Sequence, residues 1–176
     1  AQRLGYADAN PEADVNGYDA QRKCAISASI AFDALVPEDE VLTEGIQHFS
    51  AEAAAAAAAC PETAGSVLKL LMHAGRQRQG IYAYVVPTLV NRDSLEANVP
   101  KNFNLITLNA KYVGEQSFYG QGAGKDATGT SVVQDVLDIM DNIGAERSYG
   151  CQLKVQNNKA ERSFFIYDGK ASVKRA

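Results

Sequence analysis

Apolar residues recur at helical spacing between residues 18 and 35. Ile26, Ile30 and Ala34 stand at i, i+4 and i+8, and Cys24, Ala31 and Leu35 widen the stripe. This predicts an amphipathic helix that stops at Val36-Pro37, since a proline disfavours helical backbone in the residue before it. The stretch ahead of it, residues 8–17, is polar and carries turn signals at Asn10-Pro11 and Asn16-Gly17. After a short mixed segment, residues 41–49, Ser50 can cap the alanine run Ala51–Ala59, with Glu52 in its first turn. Alanine is the best helix former, so this run reads as a second helix.

The period then changes to two. Residues 66–74 place Leu68, Leu70 and Met72 on one face, and residues 81–90 place Tyr82, Tyr84 and Val86 on another. Residues 75–80 read as a turn-rich link. Pro87 has no N–H to give a ladder, so it marks an edge or a bulge. A third strand fits 104–110, and a fourth falls near Tyr112. A glycine-rich stretch, 120–124, precedes a helix over 130–143 with Gly144 as its stop. Segments 152–155 and 163–167 flank Asn157-Asn158 as a candidate hairpin. The order predicts an α+β fold, a mixed and largely antiparallel sheet with helices on one face. Val67 and Leu71 oppose Leu68, Leu70 and Met72. One helix layer covers one sheet face, so a homodimer through 66–90 and 103–110 is expected to bury the other.

Composition narrows the function classes. The chain of 176 residues is 46% hydrophobic and 22% charged, an ordinary globular balance. A net charge of -4 gives no basic footprint for nucleic acid. No apolar run is long enough for a membrane helix, and the N-terminus has no signal-peptide pattern. Cys24, Cys60 and Cys151 are odd in number and far apart, which favours reduced thiols and a cytoplasmic location. Residues 1–4 followed by Gly5 read like the last turn of a helix, so the sequence predicts further chain upstream. His48 and His73 have no second His or Cys at ligand spacing, so no metal site is expected.

Two constellations carry candidate chemistry. Asp19 and Lys23 are four apart on the first helix and share a face, with Tyr6, Asp8 and Asp14 just upstream. A lysine held by carboxylates can hold a substrate oxygen or shuttle its proton. The same spacing is common as a plain surface ion pair. On this helix, Lys23, Ile26 and Ile30 lie at i, i+3 and i+7, which predicts that the lysine points toward the apolar side. The second constellation is Gly120, Gly122 and Gly124 ahead of a helix. Such glycines let a phosphate or cofactor approach backbone amides, or simply make a tight turn. It is neither a Walker A loop, since Asp126 follows Lys125, nor a Rossmann fingerprint, since Lys125 stands where the third glycine belongs.

Taken together, these residues resemble the homoserine dehydrogenase family. Its signature runs Gly-Tyr-x-Glu-x-Asp-Pro, then Asp-x-x-Gly-x-Asp, then three residues and Lys. Here Gly5, Tyr6, Pro11, Asp14, Gly17, Asp19 and Lys23 follow it, with Asp8 at the position of its Glu. Gly45-Ile46, Leu68-Lys69-Leu70-Leu71, Val85-Val86-Pro87-Thr88-Leu89 and Tyr119-Gly120-Gln121-Gly122-Ala123-Gly124 with Thr128 are further likenesses in the family's order, covering roughly residues 1–143. The chain departs from the pattern at Asp8 (Glu in the family), Asn10 (Asp) and Ala127 (Pro).

The resemblance implies the substrate-binding and dimerisation domain of the enzyme, residues 1–150, with a tail at 151–176. The implied fold is the C-terminal domain of dehydrogenases of the glyceraldehyde-3-phosphate dehydrogenase type. The implied reaction interconverts L-homoserine and L-aspartate 4-semialdehyde with NAD or NADP, on the route to threonine, methionine and isoleucine. Lys23 and Asp19 are then catalytic, and Tyr6, Asp8 and Asp14 bind substrate. Gly120, Gly122 and Gly124 lie toward a cofactor held mainly by a dinucleotide domain absent from this chain. The fragment alone is then inactive. From a different functional class, a non-catalytic assembly or dimerisation domain remains the alternative.

Overall fold

The computed structural model describes residues 12–78, 80–143 and 154–157, together with the backbone of two further strands, Ser163–Tyr167 and Ala171–Arg175. It is a mixed α+β chain whose described residues divide into two compact units, 12–92 with 154–175, and 93–143.

The larger unit holds helices α1 (Glu12–Val15), α2 (Tyr18–Phe32) and α3 (Ala51–Ala59), and strands β1 (Leu42–Thr43), β2 (Ser66–Gln77) and β3 (Gly80–Asn91). Ser50 caps α3 as the sequence predicts, its hydroxyl accepting from the Ala53 amide at 3.1 Å. Strand β3 is central. Antiparallel β2 pairs along its whole length, from Ser66 opposite Asn91 to Gln77 opposite Gly80. The other edge of β3 is shared by two parallel segments. Strand β1 pairs at Tyr84 and Val85, and β6 (Lys154–Val155) at Gly80 and Ile81. Segment 152–155 was expected to pair with 163–167. Instead β7 (Ser163–Tyr167) pairs with β8 (Ala171–Arg175), and Lys154–Val155 joins the main sheet.

The link expected at 75–80 is much shorter, because both strands run on to residues 77 and 80. Gly75 belongs to β2, opposite Tyr82, whose ring fills the space a side chain there would need. The glycine therefore seats an aromatic ring and does not end the strand. Pro87 obeys the expectation in detail. The carbonyls of Ile81 and Val85 and the amide of Ala83 all point away from β2, toward the shared edge. By the period of two Pro87 points the same way. Its missing N–H falls where no described strand pairs.

The core lies between β3 and α2. Ile81, Ala83 and Val85 are fully buried against Cys24, Ala25 and Ala28, with Ala34, Val36 and Val41 closing the cluster. This corrects the predicted stripe in part, since its Cys24 and Ala34 are buried but its large members are not. Ile26, Ile30 and Leu35 are 62%, 69% and 62% exposed, while the buried side of α2 is Cys24, Ala25, Ala28 and Ser29. Small side chains let the helix approach the sheet closely, and shape decided the face over side-chain size. Ser29 locks the exit of α2. Its hydroxyl donates to the Ala25 carbonyl at 2.7 Å and accepts from the Val36 amide at 3.0 Å. Asp33 follows in the left-handed region, φ 50°, which costs a non-glycine residue about 1 kcal/mol. Burial pushes the Cys24 thiol up to about 11, so it stays an unreactive core thiol.

In the smaller unit, β4 (Phe103–Ala110) pairs antiparallel with β5 (Gly114–Gln121), and α4 spans Lys125–Asp141. The fourth strand thus starts after Tyr112, at Gly114, and includes Gly120. Helix α4 begins five residues before the predicted start. Gly144, its expected stop, lies outside the described residues. Among the described residues no helix is long and apolar enough to cross a membrane.

The face of the sheet away from α2 carries His73. Its ring stacks on Tyr84 at 5.0 Å, and Nε2 lies 2.9 Å from the Thr88 hydroxyl. That hydroxyl gives its own hydrogen to the Val86 carbonyl, so Nε2–H is the donor in this contact. Burial holds the His73 pKa below its usual value. The unfolded chain therefore binds the proton more readily, and stability present above the ordinary histidine range falls as pH drops below it. Between about pH 7.5 and about pH 5 the wild-type melting temperature should fall more than that of His73→Gln. Equal falls in a thermal melt series would remove His73 as the cause.

Candidate functional site

The candidate site grows from the α1–α2 corner. Gly17 ends the turn between the helices at φ +81° and opens α2 with no side-chain cap. A left-handed residue is needed for the chain to double back, and glycine takes that conformation without strain. It is also buried. A Cβ on Gly17 would stand 3.1 Å from the Thr43 methyl, 3.5 Å from Val85 and 3.6 Å from Leu70. Gly45 seals the corner from the other side. Any side chain there would run into the Val15 carbonyl and the Asn16 backbone, and the next amide, Ile46, donates to the Val15 carbonyl at 2.8 Å. The glycines of both matched motifs thus meet at one corner, which fixes where α2 begins.

From that start, Asp19 falls in the first turn of α2 and Lys23 one turn on. Lys23 Nζ lies 2.7 Å from Asp19 Oδ2, and the two side chains are 52% and 47% exposed. Asp19 sits where a helix N-terminus favours negative charge. Lys23, Ile26 and Ile30 share one face as the spacing predicts, but that face is opposite the sheet and open. Lys23 thus lies on the side of Ile26 and Ile30 as expected, but that side is exposed and not the packed one. Such an open pair contributes about 0–1 kcal/mol to stability. A group that reads as functional here presents a cation and a carboxylate side by side on an accessible surface, able to bind and polarise an oxygen-bearing small molecule.

Asp14 lies in α1, exposed, and its carbonyl accepts from the Gly17 amide at 3.2 Å. Tyr6 and Asp8 lie outside the described residues. The three glycines of the second constellation belong to the other unit and are unlike one another. Gly120 is a strand residue paired with Asn104. Gly122 is required internally, because a Cβ there would overlap the Asn104 side chain. Gly124 starts α4 at φ +125°, a conformation essentially confined to glycine, with open space around it. The turn is tied to Asn102, whose carbonyl accepts from Gly122 N–H at 2.8 Å and whose side-chain amide donates to the Ala123 carbonyl at 2.7 Å. These contacts account for a tight strand-to-helix turn. Two glycines with open space and one helix start do not make a dinucleotide site. Among the described residues no group of three or more His, Cys, Asp or Glu is placed to hold a metal ion.

Sequence reasoning passed over Gln21, Arg22 and Asn157. Gln21 and Arg22 flank the site on α2 and bond to the turn Glu38–Glu40. The glycine pattern had no bearing on them. Only the fold brings Asn157 near residue 40.

A family model described as homoserine dehydrogenase matches residues 1–137. The homoserine dehydrogenase of Corynebacterium glutamicum is 42% identical over 147 residues, covering 81% of this chain and 32% of that protein. That of Synechocystis sp. is 40% identical over 144 residues, covering 80% of this chain and 32% of that protein. The solved structure of a homoserine dehydrogenase from Thiobacillus denitrificans superposes with a TM-score of 0.69 at 39% identity, over 79% of this chain and 31% of that one. The S. aureus homoserine dehydrogenase structure at pH 6.5 gives 0.69 at 30% identity, over 93% and 39%. The chain spans about a third of the length of the curated relatives it matches.

Gly17→Ala tests the corner. It should destabilise the chain by about 1–2 kcal/mol or more, from left-handed strain plus crowding. Urea denaturation reads this directly, and an unchanged midpoint would mean the corner is not tight.

Proposed function

The chain belongs to the homoserine dehydrogenase family, and from that premise we propose that it is the substrate-binding portion of such an enzyme. The reaction is the interconversion of L-homoserine and L-aspartate 4-semialdehyde with NAD or NADP, within the aspartate route to threonine, methionine and isoleucine. The observation that carries the proposal is the Asp19–Lys23 pair on the open face of α2. Lys23 Nζ holds the substrate hydroxyl and shuttles its proton, taking it as the neutral amine when homoserine is oxidised and giving it as the ammonium in the reverse direction, and the Asp19 carboxylate orients Nζ. Asp14, with Tyr6 and Asp8, holds the amino-acid end of the substrate. The domain division follows the same reading, residues 1–150 forming the catalytic unit and 151–176 its tail. So does a cytoplasmic location, which fits the free thiols of Cys24 and Cys60.

A nicotinamide cofactor is implied by the family, but the described residues do not fit one alone. The turn at Gly120, Gly122 and Gly124 offers it at most an edge. The proposal for this chain is therefore confined to binding substrate and moving its proton. The 176-residue chain alone should give no homoserine-dependent reduction of NAD or NADP.

In the full-length enzyme, Lys23→Ala should lower kcat by about 10²–10⁴-fold, the usual loss for a general acid–base group, with an unchanged melting temperature. Asp19→Asn should follow it, and Asp8→Glu, which restores the family residue, should keep or raise activity. A Lys23→Ala enzyme within a few-fold of wild-type kcat would return the pair to a surface salt bridge, as would a non-catalytic assembly domain.

Homodimerisation through residues 66–90 and 103–110 is part of the proposal. Its support is the β4–β5 hairpin, where Ile106 and Phe118 face each other across the ladder at 45% and 59% exposure. An isolated two-stranded hairpin is marginal in water, so a second layer would stabilise it. Light scattering at micromolar concentration should give twice the chain mass, and a monomer would sink this part.

A further inference from the structure

We propose that Asn157 and Gln21 are positioning residues for the Asp19–Lys23 pair, joined through the turn Glu38–Glu40 into a hydrogen-bonded relay from the chain's last third to the first turns of α2.

The relay begins at the shared edge of β3. Strand β6 pairs with Gly80 and Ile81, and β1 with Tyr84 and Val85. The Ala83 amide points to the same edge and falls between them. Asn157 fills that gap with a side chain. Its Oδ1 accepts from Ala83 N–H at 2.7 Å, while the Gln156 amide beside it donates to the Ile81 carbonyl at 2.7 Å. The other end of the same carboxamide reaches the turn, Nδ2 donating to the Glu40 carbonyl at 3.0 Å. At this position only a group that accepts at one end and donates at the other serves both.

The turn passes the restraint to α2. Gln21 Nε2 donates both hydrogens into it, to the carbonyls of Glu38 and Val41, each at 3.1 Å. Arg22 Nε meets Glu38 Oε1 at 3.2 Å. These two residues immediately precede Lys23. A cavity of about 470 Å³ lined by Leu35, Pro37, Glu40, Lys154, Val155 and Asn157 opens beside the turn. On that side packing does not hold the turn, and hydrogen bonds must. The Asp19–Lys23 face of α2 is open as well, so its first turns are placed from the sheet side, where Gln21 reaches, with the exposed Arg22–Glu38 pair beside it. Asn157 lies beyond residue 137, where the family match ends.

The test needs no turnover, so its outcome is separate from that of the dehydrogenase proposal. Asn157→Asp keeps the acceptor for Ala83 and removes the donor to Glu40. Gln21→Met removes both donors to the turn at nearly constant volume. Amide hydrogen exchange on the 176-residue chain should speed up roughly three- to ten-fold at residues 21–24 in each variant. The double variant should exceed neither single by more than error, since both cut one path. Amides of Ala28, Ser29 and Val85 should keep their rates. Unchanged exchange at 21–24, a multiplicative effect in the double variant, or a uniform rise through α2 and β3 would each overturn the relay. If Asn157→Asp does not fold, Gln21→Met must still show the confined increase, and its failure would overturn the proposal.

Discussion

The structure depends on how closely α2 lies on β3. Cys24, Ala25, Ala28 and Ser29 present almost no side-chain bulk, and Ile81, Ala83 and Val85 fill the gap with no exposure left. Full burial of Ile81 and Val85 contributes about 1.5–3 kcal/mol each and of an alanine methyl about 0.8 kcal/mol, and one added methylene would crowd the interface. The exposed face of α2 follows from this choice. At about 100° per residue, Asp19, Lys23, Ile26 and Ile30 fall opposite the packed side. The helix is glued by its smallest residues and displays its largest and most polar ones.

This inversion explains what the sequence made legible and what it did not. The existence of α2, α3, β2, β3 and β4, the Ser50 cap and the edge role of Pro87 followed from period, capping and the chemistry of proline. Of the predicted stripe only Cys24, and Ala34 just past the helix, are buried, because hydrophobicity alone does not choose the packed face and Ile26 and Ile30 turn outward. Packing against the sheet rewards closeness of approach, and alanine, serine and cysteine permit it. The same logic hides Gly75. A glycine inside a strand pattern suggests a break, yet it can equally make room for a ring from the facing strand, as Tyr82 does here. The Asp19–Lys23 pair was readable because i and i+4 geometry is local. Asn157 was not, because its partners Ala83 and Glu40 are 74 and 117 residues away.

The glycines divide by what each avoids. Gly17 and Gly45 avoid collision at the corner that starts α2, so their motif spacing is a constraint on geometry before it is one on chemistry. Gly122 avoids Asn104, and Gly124 takes a backbone conformation closed to other residues. None of these requires a bound ligand. A glycine motif shared with a family therefore identifies the fold more firmly than it identifies a binding role, and the binding role of Gly120 and Gly124 rests on the open space around them.

A salt bridge that is half exposed contributes little to stability, so stability is a weak reason for Asp19 and Lys23 to stand where they do. The corner beneath them is costly by comparison. It needs a left-handed glycine, a second glycine pressed to backbone, and a turn whose carbonyls are held by Gln21 and whose Glu38 carboxylate meets Arg22. A rigid base under an inexpensive pair is the arrangement expected where position, not binding energy, is what matters. A catalytic group loses rate steeply with small misplacement, whereas a solvated ion pair tolerates it. The physical case for the pair as chemistry thus lies less in the 2.7 Å contact than in the number of restraints that converge on the helix turn carrying it.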